Sequence, residues 1–293
     1  MNVFFYLKPK FRERQWDTVK NLPEGISAML PENISPPLGS EKTYFQVRHE
    51  QQHRSLKRRI LTTLPMLNLR SIPKEADRAD AIYTFGYLPW NVDKPFFLEL
   101  DNPYTVTFYH AGAAQLYKPA IRHYFSKAKK IICLSEACQA HLLEEYGAEW
   151  KEKTVVHYPF VPKQNPQQKQ PNGLIRFLFI GLHFRTKGGP EALQAFYDSK
   201  GDHLRLTVIS DVPKDIKARY AKDSRITFFA PLPRQQLFSE IYPNHDVLLF
   251  PSLYESFGMA ILEALSFGLG IIAVHVYAVP EMVENGRNGL LLP

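Results

Sequence analysis

From residue 174 onward, short unbroken apolar runs alternate with segments whose apolar positions recur every three or four residues. "IRFLFIG" (175–181), "LRLTVIS" (204–210), "RITFFA" (225–230), "DVLLFPS" (246–252), "GIIAVHV" (270–276) and "GLLLP" (289–293) read as strands. Between them, "GPEALQAFYDS" (189–199), the polar "PKDIKARYAKD" (213–223), "RQQLFSEIYP" (234–243), a stretch opening near Phe257 and the short "VPEMVEN" (279–285) read as helical. Continuously apolar strands alternating with amphipathic helices predict a parallel sheet covered on both faces, a doubly wound Rossmann-like domain.

The first half repeats the rhythm less cleanly. Its strand candidates are "NVFFYL" (2–7), "AIYTFGYL" (81–88), "PFFLEL" (95–100), "KIICLS" (130–135) and "TVVHYP" (154–159). "EACQAHLLEEYG" (136–147) reads as a helix with Ser135 as N-cap and Gly147 as its stop. "PKQNPQQKQPNG" (162–173) contains three prolines and no apolar residue, so it cannot offset the entropy of joining a core. It divides the chain into an expected first domain (1–161), a linker (162–173) and a second domain (174–293). The chain stops on a predicted strand, "NGLLLP", with no helix to cover it, so the C-terminal domain is expected to be incomplete.

Composition narrows the classes. Hydrophobic residues make up 45% and charged residues 22%, as in ordinary globular proteins. No run approaches the ~18–20 apolar residues that span a membrane, and "MNVFFYLKPKFRERQWD" lacks a signal peptide's pattern. The two cysteines, Cys133 and Cys138, form neither a metal-site nor a disulfide pattern and read as packing residues in a reducing cytoplasm. A net charge of +7 points to an anionic partner: nucleic acid, acidic lipid or a phosphorylated small molecule. No nucleic-acid-binding motif accompanies that charge.

Open parallel sheets bind ligands at the C-terminal ends of their strands. "FIGLHFRTKGG" (179–189) follows the first strand of the second domain. Gly181 allows close backbone approach, Arg185 and Lys187 supply cations, and Gly188 and Gly189 lead into a helix. Glycines and cations beside a helix start suit a phosphate; a solvated loop is the bland reading of the same residues. "PSLYESFGMAILEAL" (251–265) places Glu255 at a strand-to-helix turn and Glu263 among apolar neighbours. Ser256, Phe257, Gly258 and Met259 read as the helix start, with Glu263 about two turns, roughly 10 Å, further in. A buried glutamate needs a partner. On spacing alone, Glu263 could pair with a core arginine and Glu255 could be a surface carboxylate.

"PSLYESFGMAILEAL" followed by "AVPEMVENGRNGLLLP" resembles the signature of the retaining glycosyltransferases of family 4, also called glycosyl transferases group 1. "FIGLHFRTKGGPEALQAF" is similar to that family's glycine-to-Lys-Gly segment, and "IICLSEACQAHLLEEYG" to its first-domain strand, serine and helix. The resemblance implies a GT-B fold, two doubly wound Rossmann-like domains facing across a cleft. It implies a metal-independent enzyme, with no cofactor beyond a UDP- or GDP-linked sugar as co-substrate, acting on a glycan or lipid-linked acceptor. Glu255 and Glu263 match the family's E-x7-E pair. By this likeness Lys187, with Arg185, would bind the diphosphate and stabilise the leaving group. Gly181, Ser256, Phe257, Gly258 and Met259 would line sugar and phosphate, Glu255 would meet the transferred sugar, and Glu263 would accept from the ribose hydroxyls. "FFAPL" (228–232) would lie near the base. Two departures stand out: "FFYLKPKFRER" lacks the family's first glycine-rich loop, and the strand "PFFLEL" leads to Glu99 and Asp101 instead of a histidine, the nearest being His110. These three are the acceptor-side candidates.

The basic stretches "RHEQQHRSLKRRILTTL" (48–64) and "KPAIRHYFSKAKK" (118–130) suit either solvated helix faces or peripheral contact with an anionic membrane surface. The expected location is cytoplasmic, extending to the inner membrane face. Tyr83, Phe85, Tyr87 and Trp90 could stack on a sugar but read more simply as core. Two rivals remain: a nucleotide-sugar epimerase on the same scaffold, and a non-catalytic nucleotide-sugar-binding partner subunit.

Overall fold

The computed structural model describes residues 1–7, 13–32, 66–164 and 172–293. The stretch 48–64, residues 8–12 of the opening loop and 165–171 of the predicted linker lie outside the described residues. The chain divides into two compact units, with the break between Phe160 and Val161.

The central strands of the second unit are predominantly apolar because they feed two cores. In β9 (Ile175–Gly181), Leu178 enters one core with Leu248, Ile261 and Ile271, while Phe179 enters another with Leu193, Phe196 and Val208. Successive side chains of a strand point to opposite faces, so both must be apolar when helices cover both sides. With β10 (Leu204–Ser210), β11 (Ile226–Phe229), β12 (Val247–Phe250), β13 (Gly270–Val274) and β14 (Gly289–Leu292), β9 forms one parallel sheet in the order β11-β10-β9-β12-β13-β14. Counted from β9, that order is 3-2-1-4-5-6, the doubly wound pattern. Its direction reverses between β9 and β12, so the loops leaving those two strands flank the switch-point crevice.

The first unit is built on β1 (Asn2–Tyr6), β2 (Ser27–Met29), β4 (Ala81–Phe85), β6 (Phe96–Leu100), β7 (Lys130–Cys133) and β8 (Thr154–Val156), all parallel, in the order β2-β1-β4-β6-β7-β8. A separate pair, β3 (Leu69–Arg70) and β5 (Leu88–Pro89), splits the predicted strand 81–88 in two at Gly86. Gly86 has φ +63, and a Cβ there would lie 2.3 Å from Thr105 Cγ2, so the chain turns where only glycine fits.

Among the helices, α1 (Glu13–Lys20), α2 (Ala111–Leu116) and α3 (Lys118–Lys127) precede α4 (Glu136–Tyr146). Ser135 caps α4 by accepting from Cys138 N at 3.0 Å, and Gly147 ends it at φ +118. Because that hydroxyl is fully buried, its amide partner has no water to turn to. Ser135→Ala is expected to cost about 1–2 kcal/mol, read as a lower midpoint in urea unfolding at unchanged slope. Cys133 and Cys138 are buried, free thiols. Trp90 is 62% exposed, a correction to its reading as core: it lies just past the two-residue β5, beyond the sheet that would have covered it.

Candidate functional site in the second unit

The loop after β9 is shaped by glycine at three places. A Cβ on Gly181 would lie 2.9 Å from Lys187 Cβ, so this glycine lets the lysine stem cross the strand end. Gly188, at φ +74, caps α5 (Gly189–Asp198) and packs so closely on the β12 loop that a Cβ would meet Pro251 O at 2.0 Å. Gly189 is pressed against the Phe184 ring, 2.2 Å from where its Cβ would be. Asp211, at the end of β10, accepts from Phe184 N at 3.0 Å and fixes the outer part of the loop, where His183 stands at φ +65.

That folding delivers Lys187 to the β12 loop. Its Nζ donates to Glu255 Oε2 at 2.6 Å and to Tyr254 O at 3.3 Å, and both charged side chains are three-quarters or more buried. Glu255 Oε1 accepts from Ser256 N at 3.1 Å. Arg185, on the same loop, is exposed. Two residues far apart in sequence thus meet at the switch point, joined as an ion pair.

Helix α8 (Met259–Ser266) starts later than the sequence reading placed it. Gly258 is its N-cap at φ +96, a left-handed residue that the α-helix cannot include, so Ser256 and Phe257 belong to the preceding turn. Glu263 consequently lies about one turn past the first helical residue, ~6 Å and not ~10 Å. A glycine N-cap has no side chain with which to close the first-turn amides, and the helix dipole adds positive potential there.

Glu263 is buried and held at both oxygens. Arg234 Nε donates to Oε1 at 2.8 Å and Tyr242 Oη donates to Oε2 at 2.8 Å. The core-arginine alternative left open by the spacing is therefore realised, by an arginine 29 residues away. Burial, and then the adjacent Glu263 carboxylate, push the Tyr242 hydroxyl well above its ordinary pKa, so it stays protonated as a donor. Sequence reasoning missed both partners; its one pointer was that a glutamate among Ile261, Leu262 and Ala264 must be paired. "FFAPL" leaves β11 two strands from β9, with Phe229 40% exposed.

The acceptor-side candidates lie in the first unit and are engaged locally. Glu99, on β6, forms a buried ion pair with Arg14 of α1, whose guanidinium stacks 4.8 Å from the Phe85 ring centre. Asp101 accepts from Thr105 Oγ1 at 2.6 Å and from Tyr109 Oη at 2.8 Å. His110 is exposed and caps α2, its Nδ1 accepting from Ala113 N at 3.0 Å. Phe108 and Tyr109, just before it, both adopt left-handed backbone, at φ +56 and +66. In the basic stretch 118–130, Arg122 donates to Tyr146 O and pairs with Glu149, and Lys130 donates to Glu152 O at 2.7 Å. Those two cations tie α3 and β7 to the segment after α4. Among the described residues, no helix is long and apolar enough to cross a membrane, and no group of three or more His, Cys, Asp or Glu is placed to hold a metal ion.

Residues 175–293, from the first residue of β9 to the end of the chain, match the family described as Glycosyl transferases group 1. A D-inositol 3-phosphate glycosyltransferase of Mycobacteroides abscessus is 38% identical over 152 residues, covering 51% of this chain and 30% of that protein. The chain spans about a third of the length of such curated relatives. Among solved structures, Anabaena Alr3699/HepE in complex with UDP aligns over 100% of this chain and 85% of its own, at 17% identity and TM-score 0.67. WaaG, a glycosyltransferase involved in lipopolysaccharide biosynthesis, aligns over 100% and 86%, at 17% identity and TM-score 0.58. The pair of parallel-sheet α/β units is the GT-B fold that the resemblance implied.

Proposed function

We propose that this protein is a glycosyltransferase that moves a sugar from a nucleoside-diphosphate donor to a glycan or lipid-linked acceptor, with retention of anomeric configuration and without a metal. The observation that carries the reading is the meeting of Lys187 and Glu255 at the switch point, beside the tip of α8 and one helical turn from a clamped Glu263. Lys187, assisted by Arg185, takes the diphosphate and stabilises the charge left as the glycosidic bond breaks. Gly181, Ser256, Phe257, Gly258 and Met259 line phosphate and sugar, and the first-turn amides of α8 face the anion. Glu255 exchanges Lys187 for the transferred sugar's hydroxyls, and Glu263 accepts from the ribose. The similar proteins add support: the Anabaena protein was solved with UDP and with UDP-glucose, and the Mycobacteroides relative carries a glycosyltransferase name.

One observation favours a second reading, a nucleotide-sugar-binding subunit without turnover. Glu99 and Asp101, the acids at the expected acceptor side, are bound to Arg14, Thr105 and Tyr109. A panel of UDP- and GDP-sugars incubated with the protein, with and without oligosaccharide and lipid-phosphate acceptors, separates the readings. Transfer or slow donor hydrolysis with retained configuration supports the enzyme. Binding with no turnover in any mixture supports the subunit, and conversion of the donor to its epimer supports an epimerase.

A further inference from the structure

Segment 234–244 contains an irregularity that bears on Glu263. It opens as the short helix α7 (Arg234–Gln236), widens into a π-turn at Leu237–Ile241 and closes as a 3-10 turn at Tyr242–Asn244. In a regular α-helix, positions four and eight residues on drift steadily around the axis, because 3.6 does not divide four. A π-turn rotates less per residue and cancels part of that drift. Arg234, Phe238 and Tyr242 consequently share one face. The Arg234 guanidinium lies 4.5 Å from the Phe238 ring centre, and Phe238 meets Tyr242 edge-on at 5.7 Å. Both ends of this face reach the same carboxylate, Arg234 at Oε1 and Tyr242 at Oε2 of Glu263.

We propose that Arg234 and Tyr242 are positioning residues that hold the Glu263 carboxylate charged and in one orientation, and that this clamp is the source of the site's discrimination between ribonucleotides and deoxyribonucleotides. The inference rests on the reading that Glu263 meets the donor's pentose. A carboxylate has about four acceptor positions, more than the Arg234 and Tyr242 donors use. An unclamped glutamate would lose side-chain entropy on accepting a hydroxyl; a clamped one has already lost it. Tyr242 is itself immobilised, fully buried and stacked on Phe267 at 5.4 Å with an interplanar angle of 16°. Discrimination then follows from charge: a hydroxyl donating to a fixed carboxylate in a desolvated setting forms a strong bond that the deoxy sugar cannot replace.

The test is calorimetric titration of the full chain with UDP and GDP and with their 2′-deoxy and 3′-deoxy counterparts. Wild type is expected to bind one ribonucleotide about 10–100-fold more tightly than at least one deoxy form. Tyr242→Phe keeps the ring stack and removes only the hydroxyl. It should cut that ratio to under about 5-fold while deoxy affinity stays within about 2-fold of wild type. Arg234→Lys keeps the charge, loses the fixed N–H geometry and should lower the ratio likewise; it decides the matter alone if Tyr242→Phe does not fold by circular dichroism. Discrimination equal to wild type in the folded variants overturns the clamp and leaves the ribose reading standing. A wild type that binds neither nucleotide, or binds without discrimination, overturns the ribose reading itself and the clamp with it.

Discussion

Lys187→Ala is expected to lower donor turnover by about 10²–10³-fold, with weaker binding of UDP or GDP. Lys187 is already paired with Glu255, so in the proposed reaction a diphosphate would have to draw its charge from a carboxylate. A diphosphate carries more negative charge than one carboxylate and offers several oxygens, which favours the exchange. As the glycosidic bond breaks, charge accumulates on the departing phosphate oxygen, and a fixed ammonium there stabilises the transition state more than the ground state. Removing it should therefore depress kcat and kcat/KM together. The same variant leaves Glu255 without its cation, next to the incoming anion, so the loss in binding combines a missing attraction with a new repulsion. Lys187→Arg should recover part of the binding, since charge is kept and geometry is not. Nucleotide affinity unchanged in Lys187→Ala would remove the phosphate assignment.

Gly188→Ala is expected to destabilise the second unit by about 3 kcal/mol, which for a unit of this size lowers the melting midpoint by roughly 6–12 °C. Two penalties combine. The residue sits at φ +74, where an L side chain is strained. The added Cβ would fall 2.0 Å from Pro251 O and 2.7 Å from Pro251 C, and a backbone carbonyl cannot rotate aside as a side-chain tip can. The two loops of the switch point would have to part, carrying Lys187 away from Glu255. Nucleotide affinity should then fall along with stability. Differential scanning calorimetry with parallel titration reads both; a variant with wild-type melting and wild-type affinity would show that the loops do not depend on this contact.

The strands of the second unit were legible because doubly covered strands are predominantly apolar, a local property of the sequence. The pairing of Lys187 with Glu255 was half legible. Glycines and cations after β9 marked a ligand loop, but the ion pair joins residues 68 apart and depends on sheet order, which hydrophobic pattern does not encode. The start of α8 was misplaced because Gly258 looks like an ordinary helix-opening glycine, whereas it stands outside the helix as a left-handed N-cap at φ +96. Arg234 and Tyr242 were invisible for a related reason. A π-turn differs from an α-helix by one residue in spacing, and the segment "RQQLFSEIYP" reads as helix under either period. In the first unit, α3 was read as a solvated helix face with membrane contact as the alternative, because only Ile121 and Phe125 on it are buried and its cations dominate the pattern. The engagement of Glu99 by Arg14 joins residues from separate elements and likewise had no local signature.

A crystal structure of the protein soaked with UDP, and separately with GDP, tests the central claim most directly. A diphosphate is expected against the first turn of α8, with Lys187 Nζ about 3 Å from a phosphate oxygen and a ribose hydroxyl donating to Glu263. A nucleotide bound elsewhere, or one bound here with Lys187 still on Glu255 and the ribose turned from Glu263, would contradict it.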